Sequence, residues 1–505
     1  MAEAVAHAAG DDAQTIELYN VKPTRGQFNN FSRAMQTNTS VTVLRMYTVA
    51  CGPPIARDMG RFLDCTTSLK SLILAKNNLT TRGMVTITSS LQANSSLHKL
   101  VIIDNRIGNG GVTALANVLK KNSSLQELTL AKVNLGREGV VEIVNVLREN
   151  PFSALTTICL AHARFGSGGF AALADMLSDN KQIVQLNLCH TGMKADSLRG
   201  LASAILVNTI LTALDISYNK VGVSEFRQVD ASGFQGLIGA IKINSTLEML
   251  SLSHTLLHMP ETGLLMEALA TNRSLKCLDL SGNRDGDDGM ERIARMLTIN
   301  PVLDSISLQN MSGTDAGIGA LARVLKTSTS LTQLDLHHNN IGTDGAAYLA
   351  GALRTNRTLR ELSMNTNSCR EHAPVLLAAL ASTPRLEPLS LMGQNLVRRQ
   401  SNEDTMHAML ILWRQKMQAF RMGFRRKVTG TSRVGVLSLV GVLSKDNADT
   451  IAKWYWWGGH VGVLSKDNAD TIPPWYWFSV NRWEKIPPWY WFSVNSSWQE
   501  IVDET

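Results

Sequence analysis

The stretch LKSLILAKNNL, residues 69–79, decides the fold. LHKLVIIDNRI follows at 97–107 and LQELTLAKVNL at 125–135, each starting 28 residues after the last. The series continues from Leu155, Ile183, Leu211, Leu247, Leu275, Leu303, Leu331, Leu359 and Leu386. A weaker copy, VTVLRMYTVAC, opens it at Val41. The steps are 27, 28 or 30 residues, except one of 36 between Leu211 and Leu247. A period this constant marks a solenoid of stacked units.

Each unit reads in two halves. The LxL alternation is a short strand with one buried face. The asparagine that follows hydrogen-bonds backbone in a tight turn and carries a ladder from coil to coil. It is present as Asn77, Asn105, Asn219, Asn283, Asn339 and Asn367. Val133, Ala163, Thr191, Thr255, Met311 and Gln394 replace it, which predicts an interrupted ladder. The second half is helical. In GTDGAAYLAGALRTN (342–356), Leu349 and Leu353 lie four apart, and Leu115 and Leu119 repeat this in GNGGVTALANVLKKN (108–122). The glycines of GNGGV read as a turn and helix start, not as a phosphate loop. One β-α unit cannot bury its own apolar face, so stacking builds the core. The eight extra residues of the long step, around VSEFRQVDASGFQG (223–236), are expected as a rim loop.

These motifs resemble the leucine-rich repeat superfamily, in particular its 28-residue, ribonuclease-inhibitor-like class. That class includes the Ran GTPase-activating protein, the sensor regions of NOD-like receptors and ciliary leucine-rich repeat proteins. The resemblance covers residues 41–396. It implies an α/β horseshoe of about 13 β-α repeats, with a parallel sheet on the concave side and helices outside. It also implies a chain that binds other proteins.

Composition divides the rest. The chain has 505 residues and a net charge of +7. Residues 397–433 hold nine basic side chains against two acidic ones, which equals the whole excess. Trp413 apart, every tryptophan lies between Trp454 and Trp498. The expected domains are an N-terminal cap segment at 1–40, the solenoid at 41–396, a basic amphipathic helix at 397–433 and a duplicated tail at 434–505. The six cysteines form no CxxC pair, the N-terminus has no basic and apolar leader, and no long apolar run occurs. A cytoplasmic setting without a transmembrane segment is expected. Triplets such as those at Asn94, Asn122, Asn244 and Asn356 read as polar turns, not glycan sites.

Candidate contacts sit on the concave side, which strand positions between the repeated leucines face. His162, His190 and Tyr218 occupy the slot before the ladder position in successive repeats, one strand spacing apart. His254 and His338 hold the same slot, and Asp215, Asp279 and Asp335 recur inside the LxL alternation. These eight residues are the expected partner-binding set. Two imidazoles without a neighbouring Cys or carboxylate make a poor ligand set, so no metal is expected. No GxxxxGK[ST], HExxH or GxSxG motif is present, so no cofactor and no catalysis are expected either.

In MHAMLILWRQKMQAFRMGFRRK (406–427), Met406, Leu410, Trp413, Met417, Phe420 and Phe424 form one apolar helical stripe. Arg414, Arg421, Arg425, Arg426 and Lys427 lie mostly off it. Two readings stand. The helix covers the open core end of the last repeat, or residues 405–428 contact a calmodulin-like or anionic surface. Beyond it, VGVLSKDNADTI occurs at 440–451 and 461–472, and IPPWYWFSVN at 472–481 and 486–495. Such copies are expected to form a poorly ordered tail. The functional expectation is a non-catalytic scaffold or adaptor in a cytoskeletal or ciliary assembly, with no specific nucleic acid among its partners. One alternative is a GTPase-activating protein for a Ran-like GTPase, for which Arg106, Arg137 and Arg164 sit at suitable turns. Another is a NOD-like sensor module without its nucleotide-binding domain.

Overall fold

The computed structural model describes residues 13–364 except 151–152, 222–231 and 259–260, together with residues 1, 4, 5, 10 and 367. Among these, thirteen strands alternate with twelve helices. Five strands have five residues: β1 (Thr15–Tyr19), β2 (Val43–Tyr47), β3 (Ser71–Ala75), β4 (Lys99–Ile103) and β5 (Glu127–Ala131). Eight have three: β6 (Thr157–Cys159), β7 (Gln185–Asn187), β8 (Ala213–Asp215), β9 (Met249–Ser251), β10 (Cys277–Asp279), β11 (Ser305–Ser307), β12 (Gln333–Asp335) and β13 (Glu361–Ser363).

The chain divides into two compact units. The first takes Met1–Asp285 with Ile299–Leu303, and the second takes Gly286–Thr298 and the chain from Asp304 onward. Strands β1–β10 of the first unit are parallel and follow chain order. So do β11–β13 of the second. The fold is the expected α/β solenoid. Its first turn starts early, because β1 and the helix Arg25–Thr37 form a β-α unit within the segment read as a cap. Thr15 pairs with Val43, one period on.

Leucines of the LxL alternation point into the core. Leu72, Leu100, Leu128, Leu186, Leu214, Leu250 and Leu278 are all at most 2% exposed. Helices close the other side. Arg137–Glu149 buries Val140, Ile143, Val144, Val146 and Leu147 on one stripe. Fully burying such a side chain contributes about 1.5–3 kcal/mol. The segment GNGGV behaves as read: Gly108 has φ +60° and opens the helix Gly108–Leu119. Half of the long step is regular too, since Ser232–Ile243 is a helix, while 222–231 lie outside the described residues.

Two asparagine ladders hold the coils together. The expected one runs at the strand ends. Asn219 Oδ1 accepts from the Thr191 and Met193 N–H groups at 3.0 and 2.9 Å, and Asn219 Nδ2 donates to Leu188 O at 2.8 Å. Asn105, Asn283 and Asn339 repeat this pattern. Where threonine replaces asparagine, the hydroxyl substitutes in part: Thr191 and Thr255 donate to Leu188 O and Leu252 O. The second ladder follows the helices. Asn208 Oδ1 accepts from the Ile210 and Leu211 N–H groups, and Nδ2 donates to Leu177 O at 2.7 Å. Asn94, Asn122, Asn244 and Asn356 do the same. These polar turn residues satisfy carbonyls that a helix end leaves open.

Candidate partner-binding face

Each strand offers two outward positions relevant here. One is the middle residue between the core leucines. The other is the turn residue two beyond the second leucine. The turn residue is left-handed throughout: φ is +53° at Lys76, +60° at His162, +55° at His190 and Tyr218, and +52° at His254 and His338. A residue with a Cβ pays roughly 1–2 kcal/mol there. The backbone N–H of each donates to the next strand, His162 to Cys189 O at 2.9 Å, His190 to Ser217 O at 3.0 Å and Tyr218 to Ser253 O at 2.9 Å. Turn side chains therefore line one edge of the sheet, one per strand.

On β6–β9 that edge is a row of rings. His162 and His190 have centroids 4.5 Å apart, His190 and Tyr218 6.5 Å, and Tyr218 and His254 4.4 Å at an interplanar angle of 16°. The row ends at Gly282, where an added Cβ would collide with the His254 ring and φ is +73°. Burial first, then His190 and Lys132 beside it, pushes the His162 imidazole down to about 4. Burial and Arg284 lower His254 as well. Both rings are neutral near pH 7. His338 belongs to the second unit. It is exposed beside His337, 6.4 Å away, and is not assigned to the row.

The three aspartates are placed differently from the expectation. Asp215, Asp279 and Asp335 are middle residues, but they are only 0%, 6% and 4% exposed. Direct contact with a partner is corrected to a wall role. The reason lies in their hydrogen bonds. Asp215 Oδ1 accepts from the Ser217 N–H at 2.9 Å and from Ser217 Oγ at 2.5 Å, while Asn187 Nδ2 donates to Oδ2 at 2.6 Å. Asp279 receives Ser281 in the same way, and Asp335 receives the His337 N–H. Burial raises the Asp215 carboxyl to about 7 against these hydrogen bonds. Asn187, which no motif singled out, caps Cys189 N–H identically at 2.9 Å. The usable signal was a short Asn or Asp as the residue between the two core leucines, two before the amide that it caps.

Burial raises Cys159 to about 12 and Cys189 well above its ordinary value, so neither thiol is a nucleophile near neutral pH. Among the described residues no three metal-binding side chains gather, and no helix is long and apolar enough to cross a membrane. Trp413, Arg414, Phe420, Arg421, Phe424, Arg425, Arg426 and Lys427 lie outside the described residues, as does the tail at 434–505.

The leucine-rich repeat family pattern matches five segments, 66–87, 93–116, 207–224, 271–294 and 327–350. No curated protein matches the sequence. Among solved structures, the yeast Rad7–Elc1 complex is 14% identical, with 73% of this chain and 86% of that chain covered at a TM-score of 0.44. Actin-binding site 2 of leiomodin-1 is 20% identical, with 32% and 92% covered at 0.27. The Caenorhabditis elegans tropomodulin C-terminal domain is 16% identical, with 30% and 92% covered at 0.26. Five matched repeats on a period of 28 residues, with one step of 36, and a parallel β-α solenoid make the fold that of a leucine-rich repeat protein.

Proposed function

We propose that this chain is a non-catalytic scaffold that binds a protein partner across its strand face, with the ring row His162–His190–Tyr218–His254 at the centre of contact. The carrying observation is that row. Four consecutive strands each hold a ring in a left-handed position that favours glycine, and neighbouring rings lie 4.4–6.5 Å apart, Tyr218 and His254 stacked and the other two pairs tilted. Rigid aromatic side chains contribute much contact area at little entropy cost, and they dominate interface energies. His338 extends the same slot in the second unit. The buried Asp215, Asp279 and Asp335 fix the wall that carries the contacts. A cytoskeletal or ciliary assembly in the cytoplasm is the setting suggested by the sequence resemblance alone. The amphipathic pattern at 405–428 supports a second contact with a calmodulin-like or anionic surface.

The test compares partners recovered by proximity labelling from cells carrying wild type or Tyr218→Ala/His254→Ala. Both rings are partly exposed, so the variant keeps the fold. Loss of a defined set of partners supports the reading. An unchanged set removes it.

A further inference from the structure

The two ends of the strands treat charge differently in the first unit. At the strand starts, bases are paired with acids of a neighbouring repeat, Lys99 with Glu127 at 2.6 Å and Lys276 with Glu248 at 2.6 Å, and mid-strand Arg45 is paired with Glu17. At the other end, consider each turn residue of β3–β10 and the two residues after it. These positions hold six bases, Lys76, Arg106, Lys132, Arg164, Lys220 and Arg284, and one acid, Asp104. Four of the bases are exposed, and Lys76 and Lys132 are partly so. Among the described residues none of the six makes an ion pair.

Spacing adds to sign. Arg106, Arg164, Lys220 and Arg284 follow β4, β6, β8 and β10, every second strand. Two strand spacings are roughly 10 Å, which matches three residues of extended chain. The whole run spans about 29 Å, or about nine residue steps of extended chain. Lys132 and Arg284 also lie close enough to His162 and His254 to act on them electrostatically, so rings and bases share one edge. Tyr218 and His254 stack face to face within the row, while the His162–His190 and His190–Tyr218 pairs are tilted at 38° and 53°. Their edges carry imidazole N–H and phenol O–H donors. Donor edges suit carboxylates, whereas nucleobase stacking needs open faces.

We propose that this edge binds an extended acidic segment of a protein partner, about ten residues long, with carboxylates at every third position (first, fourth, seventh and tenth) seated on Arg106, Arg164, Lys220 and Arg284. The proposal rests on the scaffold reading and names the chemistry of the partner. It is a surface for charge pairing, so salt weakens it.

The experiment uses the full chain and a fluorescent ten-residue Ser/Gly peptide with glutamate at its first, fourth, seventh and tenth positions. A glutamine version and a nine-nucleotide oligo-dT serve as comparison probes. Binding is read by anisotropy at low and moderate salt. The expected result is that the glutamate peptide binds best and that Arg106→Glu/Arg164→Glu/Lys220→Glu/Arg284→Glu weakens it at least about tenfold. Lys120→Glu/Lys242→Glu, exposed helix bases, should change it less than about twofold. Equal binding of the glutamine peptide, equal loss in both variants, or tighter binding of oligo-dT overturns the proposal. Proximity labelling with the rim variant separates this from the broader reading. Partners lost in Tyr218→Ala/His254→Ala but kept in the rim variant leave the scaffold standing and remove the acidic segment. No loss in either variant removes both.

Discussion

The strand region β1–β5 and the strand region β6–β10 share one repeat but end their strands differently. In the first, the middle residues are Glu17, Arg45, Ile73, Val101 and Thr129, and every strand runs five residues. In the second they are Cys159, Asn187, Asp215, Ser251 and Asp279, and every strand stops at that residue. Asn187, Asp215 and Asp279 each take the backbone N–H two residues on, so it no longer serves a strand ladder. The outer face changes with it. The first region presents the stacked Tyr19–Tyr47 pair, 4.8 Å apart, then aliphatic side chains. The second presents a buried polar wall under a row of rings. The middle residue separates the two regions: on three strands of the second it is Asn or Asp and takes the amide that would extend the strand, while the turn residue supplies the rings.

The largest test of this difference is Asp215→Asn. The folded chain holds the Asp215 proton up to about pH 7, against an ordinary value of 3.8. Between those values the folded state binds one proton more than the unfolded state. Stability contributed by this group is therefore present at low pH and falls as pH rises through that window. In chemical denaturation across pH, wild type minus variant should fall by on the order of 3–4 kcal/mol between pH 4 and pH 7.5. His162 works in the opposite sense, losing stability as pH falls from 6.5 toward 4, but it is common to both proteins and cancels. A flat difference breaks the account of the wall.

Next comes Asn219→Ala, which strips the ladder from β8. It leaves the buried N–H groups of Thr191 and Met193 unpaired and takes one of two donors from the Leu188 carbonyl, which keeps the Thr191 hydroxyl. A loss of about 2–3 kcal/mol in the unfolding midpoint analysis is expected. A smaller effect follows from Gly282→Ala. The new Cβ meets the His254 ring and holds φ +73°, which should cost about 1–2 kcal/mol and shift the Tyr218 ring-current signals of His254. Unchanged His254 resonances would separate the row from its end stop. Smallest in energy is Thr129→Asn, which imports the capping side chain into the first region. Stability should move by less than about 1 kcal/mol. The Ala131 amide should lose hydrogen-exchange protection as the strand shortens. Full protection there would mean that the middle residue does not set strand length.

Much of this was legible from the sequence. The 28-residue period gave the repeat unit, and the LxL pair gave the buried face, because both rest on side-chain periodicity alone. The His162–His190–Tyr218 alignment was legible for the same reason: equal offsets in a stacked solenoid become neighbours. Asp215, Asp279 and Asp335 were misplaced because an outward strand position is normally solvated. Here Ser217 and Asn187, on neighbouring positions, cover the carboxylate of Asp215. Asn94, Asn122, Asn244 and Asn356, equivalents of Asn208, were read only as polar turns. Their role needs the helix end of the preceding repeat, and only stacking supplies it. The strand in Thr15–Tyr19 was missed because TIELY lacks the leucine pair, although Ile16 and Leu18 fill the same two core positions.

The central claim is that the ring row is where a protein partner sits. Site-specific photocrosslinking tests it most directly, with a benzophenone amino acid placed at Tyr218 in one protein and at Tyr348 in another. Tyr348 is an exposed aromatic residue on the helix Thr343–Leu353, away from the strand edge. The account predicts a discrete crosslinked adduct in cells from position 218 and none of that mass from position 348. No adduct at 218, or the same adduct from both positions, would contradict it.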